Sequence, residues 1–323
     1  MKKLIVVLLV AVFLATSVTL VGRELLPQNE DVLPPEDIWS YNQYKANTHT
    51  HTSRSFDSST NPQQRVYEYQ ALGYDILALS DHYFGLHSFE DAGITDYYLT
   101  PICSNEAEGV IAHINIFYTY IHFALDTPEN IFQMVTDGGG IAILNHPGKY
   151  DDAVDNAQRI KWFTDYPCIV GMEIVNRNDR YENDREIWDA CLTALMPERI
   201  IYGMGTDDTH DYDDIGWSYT MFLAPDRSEE SIEHAFRNGH FYTVTNAIVE
   251  NAKGDEPTIE SIYQNEDGSY TITGTNYDKV TWISCGEIVG DSETFNPAGC
   301  EKYIRAELQG KGGIAFSQPI PLY

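Results

Sequence analysis

The chain has 323 residues, 43% apolar and 12% aromatic, enough to bury a sizeable core and to exclude a wholly disordered protein. Its 49 acidic against 20 basic side chains give a formal net charge of −29. Such a surface repels phosphate backbones and argues against a nucleic-acid duplex as partner. The five cysteines include no CxxC pair, which argues against a zinc ribbon or a thioredoxin-like site.

In chain order, Met1-Lys2-Lys3 is a positive start, Leu4 to Leu14 an uncharged apolar run, and Ala15-Thr16-Ser17 supplies the small residues of a cleavage site. Residues 1–22 are therefore read as a signal peptide, with an uncleaved N-terminal anchor as the alternative, because the apolar stretch continues to Val21. Either way the protein is expected to be exported: periplasmic, extracellular or at the cell surface. Membrane contact is expected only through this segment, if it stays uncleaved. Residues 23–40, with Pro27, Pro34 and Pro35, read as a linker.

From 41 to 248, short apolar runs alternate with amphipathic stretches. Asn61-Pro62 predicts a helix start, with its end at Leu72-Gly73. Thr127-Pro128 predicts another, closed at Gly138, and Asp226 with Glu229 resembles a cap for a helix ending at Asn238-Gly239. Ile76–Leu79, Ile141–Leu144, Ile169–Val175 and Ile200–Met204 read as buried strands. Alternating strands and helices imply a parallel α/β sheet or barrel. Residues 249–323 are rich in Thr, Tyr and Ile and read as a small β module with a turn at Glu266-Asp267-Gly268. There Cys285 and Cys300 could pair in an exported protein; the alternative is five buried free thiols.

Chemistry-bearing residues gather where predicted strands end. Ile76–Leu79 runs into Ser80-Asp81-His82, Ile141–Leu144 into Asn145-His146-Pro147, and Ile200–Met204 into Gly205-Thr206-Asp207-Asp208-Thr209-His210. In α/β barrels such ends converge on one face. In an extended segment His49 and His51 point to the same side and can grip one ion. Any one of these histidines alone is more often a hydrogen-bonded structural residue; their coincidence is what points to a metal. A set of His and Asp/Glu without thiolate suits Zn, Mn or Fe.

The series His49-Thr-His51 … Asp57, Ser80-Asp81-His82, Glu106 … His113, Asn145-His146-Pro147 and Gly205-Thr-Asp-Asp208-Thr-His210 resembles the PHP (polymerase and histidinol phosphatase) superfamily. It is most similar to the CehA/McbA-like metallohydrolase branch, with further likeness in Met172-Glu-Ile-Val-Asn176, Ala235–Tyr242 and Tyr303–Glu307. The resemblance covers roughly 43–323. It implies a distorted (β/α)7 barrel of PHP type over 41–248, carrying the C-terminal β module, and two or three divalent transition metal ions. It places His49, His51 and Asp208 on one ion, Glu106 as a bridge to a second held by His113 and His146, and Asp57, His82 and His210 on a third. A metal-bridging hydroxide is the implied nucleophile, acting on a small anionic phosphate mono- or diester. An amide, ester or carbamate hydrolase is the alternative chemistry, and a non-catalytic, metal-stabilised binding protein the alternative of another class.

Asn47 stands where many PHP domains have Asp, and Asp57 lies six residues after His51 where some have five. Glu106 competes with Glu108, and Asp208 with Asp207. Asp207 is assigned either to orienting a ligand or, with His210, to catalytic proton transfer. Arg177 and Arg180 follow a strand end and could meet an anionic substrate, although such arginines are more often solvated. His87, His122, His234 and His240 have no place in the pattern.

Overall fold

The computed structural model describes residues 38–82, 88–119 and 125–323. The signal or anchor segment, most of the linker, His87 and His122 lie outside the described residues. Of the linker, Ile38–Ser40 forms a short 3-10 turn with Ile38 buried. Among the described residues no helix is long and apolar enough to cross a membrane.

Strand β1 (Asn42–Asn47) leads into helix α1 (Pro62–Ala71). Asn61 caps α1 by accepting from the Gln63 N–H, and Pro62 occupies the first turn, where its missing N–H costs nothing. Strands β2 (Ile76–Ala78), β3 (Thr100–Ile102), β4 (Ser104–Gly109) and β5 (Ala112–Phe117) precede helix α2 (Pro128–Gly138). Thr127 caps α2, and Gly139 rather than Gly138 ends it, at φ 69° in the left-handed region that glycine tolerates best. Strand β6 (Ile141–Asn145), helix α3 (Asn156–Asp165), strand β7 (Ile169–Asn176), helix α4 (Asp184–Leu195) and strand β8 (Tyr202–Thr206) follow. Then come β9 (Ser218–Ala224), α5 (Glu229–Asn238) and β10 (Phe241–Thr245). The cap of α5 is Ser228, which accepts from the Ser231 N–H; Asp226 instead accepts from Ser228.

The tail consists of β11 (Thr258–Gln264), β12 (Tyr270–Thr275), β13 (Lys279–Ser284), β14 (Glu287–Gly290), β15 (Thr294–Phe295), β16 (Tyr303–Gly310), β17 (Gly313–Phe316) and β18 (Ile320–Pro321).

The architecture is mixed α/β, but no closed barrel of seven βα units forms among the described residues. The strands divide into a ten-stranded sheet (β14-β13-β16-β17-β10-β9-β1-β2-β3, with β18 on β16), a five-stranded sheet (β4-β5-β6-β7-β8) and a three-stranded sheet (β11-β12-β15). Among the described strands, pairing is parallel only for β1–β2, β2–β3, β6–β7 and β7–β8. The β4–β5 hairpin and the β9–β10 pair are antiparallel, where a barrel of βα repeats would be parallel. At β4–β5 the reason is that a short turn joins the two strands where a parallel connection needs a crossover helix; β9 and β10 pair antiparallel although α5 lies between them.

Strand ends of the two larger sheets nevertheless meet. Isolated bridges join Thr50 to Thr209 and His82 to Glu106. The His51 N–H donates to the Thr209 carbonyl (2.9 Å), Ser80 N–H to Thr50 (2.8 Å) and Glu106 N–H to Ser80 (2.9 Å). These contacts draw the ends of β1, β2, β4 and β8 together. Behind them Ala46, Ile76, Ile143, Met204 and Phe222 belong to one apolar cluster. Burying each large apolar side chain there contributes about 1.5–3 kcal/mol.

The tail is not separated from the preceding sheet. β17 pairs antiparallel with β10, Val244 opposite Ala315, and so extends the ten-stranded sheet. Behind it Arg305 of β16 makes a two-pronged ion pair with Asp189 of α4 (2.9 and 2.6 Å), which also accepts from the Tyr303 hydroxyl (2.6 Å). All five cysteines are free thiols, so the considered Cys285–Cys300 disulfide is absent; only Cys168 and Cys191 are buried.

Candidate metal centre

All nine candidate ligands converge. Glu106 lies at their middle: one carboxylate oxygen is 3.3 Å from His49, 3.2 Å from His51 and 3.3 Å from His82, the other 3.0 Å from His113 and 3.5 Å from His146. Asp208 approaches His49 and His51 at 3.3 Å and His210 at 3.6 Å. Asp57 joins His82 (3.2 Å) to His210 (2.9 Å). His49, His51, His82, Glu106, His146 and Asp208 are all buried.

The backbone aims these groups. His146, Arg177 and Asp208 each sit just past a strand end with φ of 29°, 53° and 44°. For residues other than glycine that region costs on the order of 1–3 kcal/mol, a strain that folds retain mainly at functional sites. Asp81 holds the loop carrying His51 and Asp57 by accepting from the Thr52 N–H (2.6 Å) and hydroxyl (2.7 Å).

The competing acids are resolved by position. Glu106 is central, whereas Glu108, two residues on along β4, stands 3.9 Å from Nδ1 of His82. Asp207 turns away from the histidines. Its carboxylate accepts from the Tyr69 and Tyr74 hydroxyls (3.1 and 3.2 Å) and from the N–H groups of Gly216, Trp217 and Ser218 (2.9, 2.9 and 3.1 Å). Burial pushes it up to about 6, against the pull of those donors. With both oxygens occupied it anchors the start of β9, so the leaving-group role considered for Asp207 is corrected. Asn47 accepts from the His49 N–H (3.1 Å) and donates to the Ser218 carbonyl (3.3 Å), a bracing position outside the cluster.

Glu173 carries a role that the sequence left unassigned. It accepts from His49 Nδ1 (2.7 Å), the Thr206 hydroxyl (2.6 Å), the His146 N–H (2.7 Å) and Asn176 (2.8 Å). A proton on His49 Nδ1 leaves the Nε2 lone pair facing the cluster. The available signal was an acid inside a strand that is buried at every position. Asn145 also donates to Glu106 (2.8 Å). Arg180 pairs with Asp208, and Arg177 contacts His210 (2.6 Å) and Asp214 (3.1 Å), so both arginines border the cluster rather than open solvent. His234 and His240 pack against each other elsewhere, at 5.5 Å between rings.

Burial alone would push His49 down, but Asp208, Glu106 and Glu173 outweigh it and hold it well above the ordinary histidine value. Burial likewise opposes, and Asp208 and Glu106 overcome it, to raise His51 to about 9. Glu106 and Asp208 are held well below the carboxylate range, against their burial, by the surrounding imidazoles. His146 is lowered, because burial exceeds what its acids return.

A divalent cation fits these residues. His49 and His51 bring their Nε2 atoms within 3.1 Å, an approach of two lone pairs that needs a shared cation or proton. Buried His146 Nδ1 has no hydrogen-bond partner among the described residues. Among the described residues, five overlapping triads have ligand atoms within 4.8 Å: His49–His146–Asp208, His49–His51–Glu106, His51–Asp208–His210, His51–Asp57–His82 and His82–Glu106–His113. The sharing is wider than in the three groups implied by resemblance, with His51 in three triads. Imidazole and carboxylate donors without thiolate match first-row divalent ions.

No family model matches the chain, and no curated protein matches it. Among solved structures, a two-domain protein from Bacteroides vulgatus containing a predicted PHP-like metal-dependent phosphoesterase aligns with 89% of this chain and 90% of its own, at 18% identity and a TM-score of 0.52. A lesion-specific endonuclease from Pyrococcus furiosus aligns with 61% of this chain and 56% of its own, at 14% identity and a TM-score of 0.45. The first of these alignments shows a shared mixed α/β fold.

Proposed function

We propose that this chain is an exported, metal-dependent phosphoesterase of the PHP superfamily, in its CehA/McbA-like branch, acting on a small anionic phosphate ester. The reading takes 1–22 as signal or anchor, 41–248 as the catalytic domain and 249–323 as its C-terminal module. One observation carries it: five imidazoles stand within 3.5 Å of one buried carboxylate, Glu106, with Asp57, Asp208 and His210 completing the group. The charge of −29 favours a small substrate over a duplex.

Two or three divalent ions held there, Zn, Mn or Fe, would supply Lewis acidity and activated water. The chain's own groups do the remaining work. Glu173 fixes the His49 tautomer. Arg177 and Arg180 offer positive charge to an anionic substrate at the cluster's edge. The partial exposure of the His210 side chain (23%) and its bond to Asp57 support a role for it in passing a proton to the departing oxygen.

The test is elemental analysis of the purified protein together with hydrolysis of p-nitrophenyl phosphate and bis-p-nitrophenyl phosphate in added Mn or Zn. Bound transition metal and turnover of at least one ester are expected. Neither metal nor hydrolysis would end the enzyme reading. His146→Ala should abolish turnover while the far-ultraviolet circular dichroism and melting cooperativity stay near wild type; full activity would remove His146 from the site.

A further inference from the structure

Two of the ligand-bearing segments have the same form: His49-Thr50-His51 follows β1 and Asp208-Thr209-His210 follows β8. Helix α1 carries two fully buried polar side chains, Arg65 and Tyr69, and each of them bonds to both segments. They stand four positions apart, one turn of helix, and so share a face of α1.

Arg65 donates from Nε to the His51 carbonyl (3.2 Å) and from Nη2 to the His210 carbonyl (2.8 Å), which also accepts from the Ser58 hydroxyl (2.7 Å). Its remaining nitrogen pairs with Glu68 (3.0 Å). Burying a guanidinium is costly unless it is paired and bonded, and here each of its three nitrogens has a partner. A rigid planar fork thus fixes the separation of two carbonyls that belong to different strand ends. The Tyr69 hydroxyl joins the two threonines. It accepts from the Thr50 hydroxyl (3.4 Å), bonds the Thr209 hydroxyl and donates to Asp207 (3.1 Å), the neighbour of Asp208. The His51–Asp208–His210 triad is drawn from these two segments alone, so its ligand spacing depends on how they are held together.

We infer that Arg65 and Tyr69 are positioning residues, a clamp on α1 that sets the spacing of the His49/His51 and Asp208/His210 ligands and thereby the metal affinity of the centre. Among the described residues neither bonds to the side chain of a candidate ligand; both act through the chain that carries the ligands. The inference rests on the metal-binding part of the proposed function and not on the substrate.

The experiment measures Mn binding to the full chain, stripped of metal, by calorimetry, beside the visible spectrum of the Co-loaded protein. Arg65→Lys keeps the charge but loses the fork; it should weaken Mn binding about 10- to 100-fold and shift the Co bands. Tyr69→Phe removes only the hydroxyl and should weaken Mn binding about three- to tenfold. Val66→Ala, next to Arg65 on α1 and buried in the apolar core, should lower the melting temperature yet leave Mn affinity and the Co bands as in wild type. Wild-type affinity and bands in Tyr69→Phe, or in a folded Arg65→Lys, overturn the clamp while the metal reading stands. Equal weakening by Val66→Ala overturns it too, because general stability of the helix would then be the cause. A wild-type protein that binds neither Mn nor Co removes the metal reading and the clamp together.

Discussion

Asp189 and Glu106 are both buried carboxylates, yet their surroundings differ in kind. Asp189 meets one guanidinium in a two-pronged pair and one phenol, and Arg305 gives a second bond to Glu307 (2.6 Å). Opposite charges there are matched one to one, and the group is complete with the chain alone. Glu106 instead faces five imidazoles, with Asp208 and Asp57 alongside. Those imidazoles are bases that can be neutral, so the region is satisfied only when cations, protons or metal ions, enter it. A closed set of buried charges is a structural fastener. An open set of ligands, with strained backbone at three of its strand ends, is built to hold something.

The largest test of this contrast is Glu106→Gln. It removes the acid shared by five histidines and should strip the transition metal, and turnover with it, from the purified protein. Retention of wild-type metal content by mass spectrometry would show that the cluster does not depend on its central acid. Next comes Arg305→Ala, which leaves Asp189 buried without its cation and should destabilise the fold by about 3–5 kcal/mol in denaturant titration. Metal stoichiometry should be unchanged, and a parallel loss of metal would mean that the two regions are not independent.

The smallest effect is a pH dependence. His51 is raised in the folded state to about 9 from an ordinary value of 6.5. A raised folded value contributes stability that is fully present below the unfolded value and lost as pH rises through the folded one. The metal-free protein should therefore lose melting temperature, on the order of a few degrees, between pH 6.5 and 9. The metal-loaded protein should lose less, because ions replace the protons. Parallel melting curves for the two forms across that range would contradict this.

Much of the cluster was legible before any coordinates. His49, His51, His82, Glu106, His113, His146, Asp208 and His210 stand in a recognisable order, and most follow or end an apolar run that must be buried. Orientation was less legible. Asp207 and Asp208 are neighbours of the same chemistry, and only the left-handed turn at Asp208 sends one to the histidines and the other to Tyr69 and Tyr74. Glu173 read as part of a strand because its partners, His49 and Thr206, come from other strand ends.

Strand direction was not legible either. Apolar runs such as Ile76–Leu79 and Ile141–Leu144 specify burial on both faces, which suits a parallel sheet, but they do not say which strand lies alongside. The β4–β5 and β9–β10 pairs turned out antiparallel, and the tail strands joined the same sheet through β17. Local sequence determined where helices begin, through Asn61-Pro62 and Thr127-Pro128, and which residue types could bind a metal. Only the tertiary structure decided which carboxylate faces which imidazole. Most such pairings join residues tens to more than a hundred positions apart, and are set by the hydrogen bonds that draw β1, β2, β4 and β8 to one place.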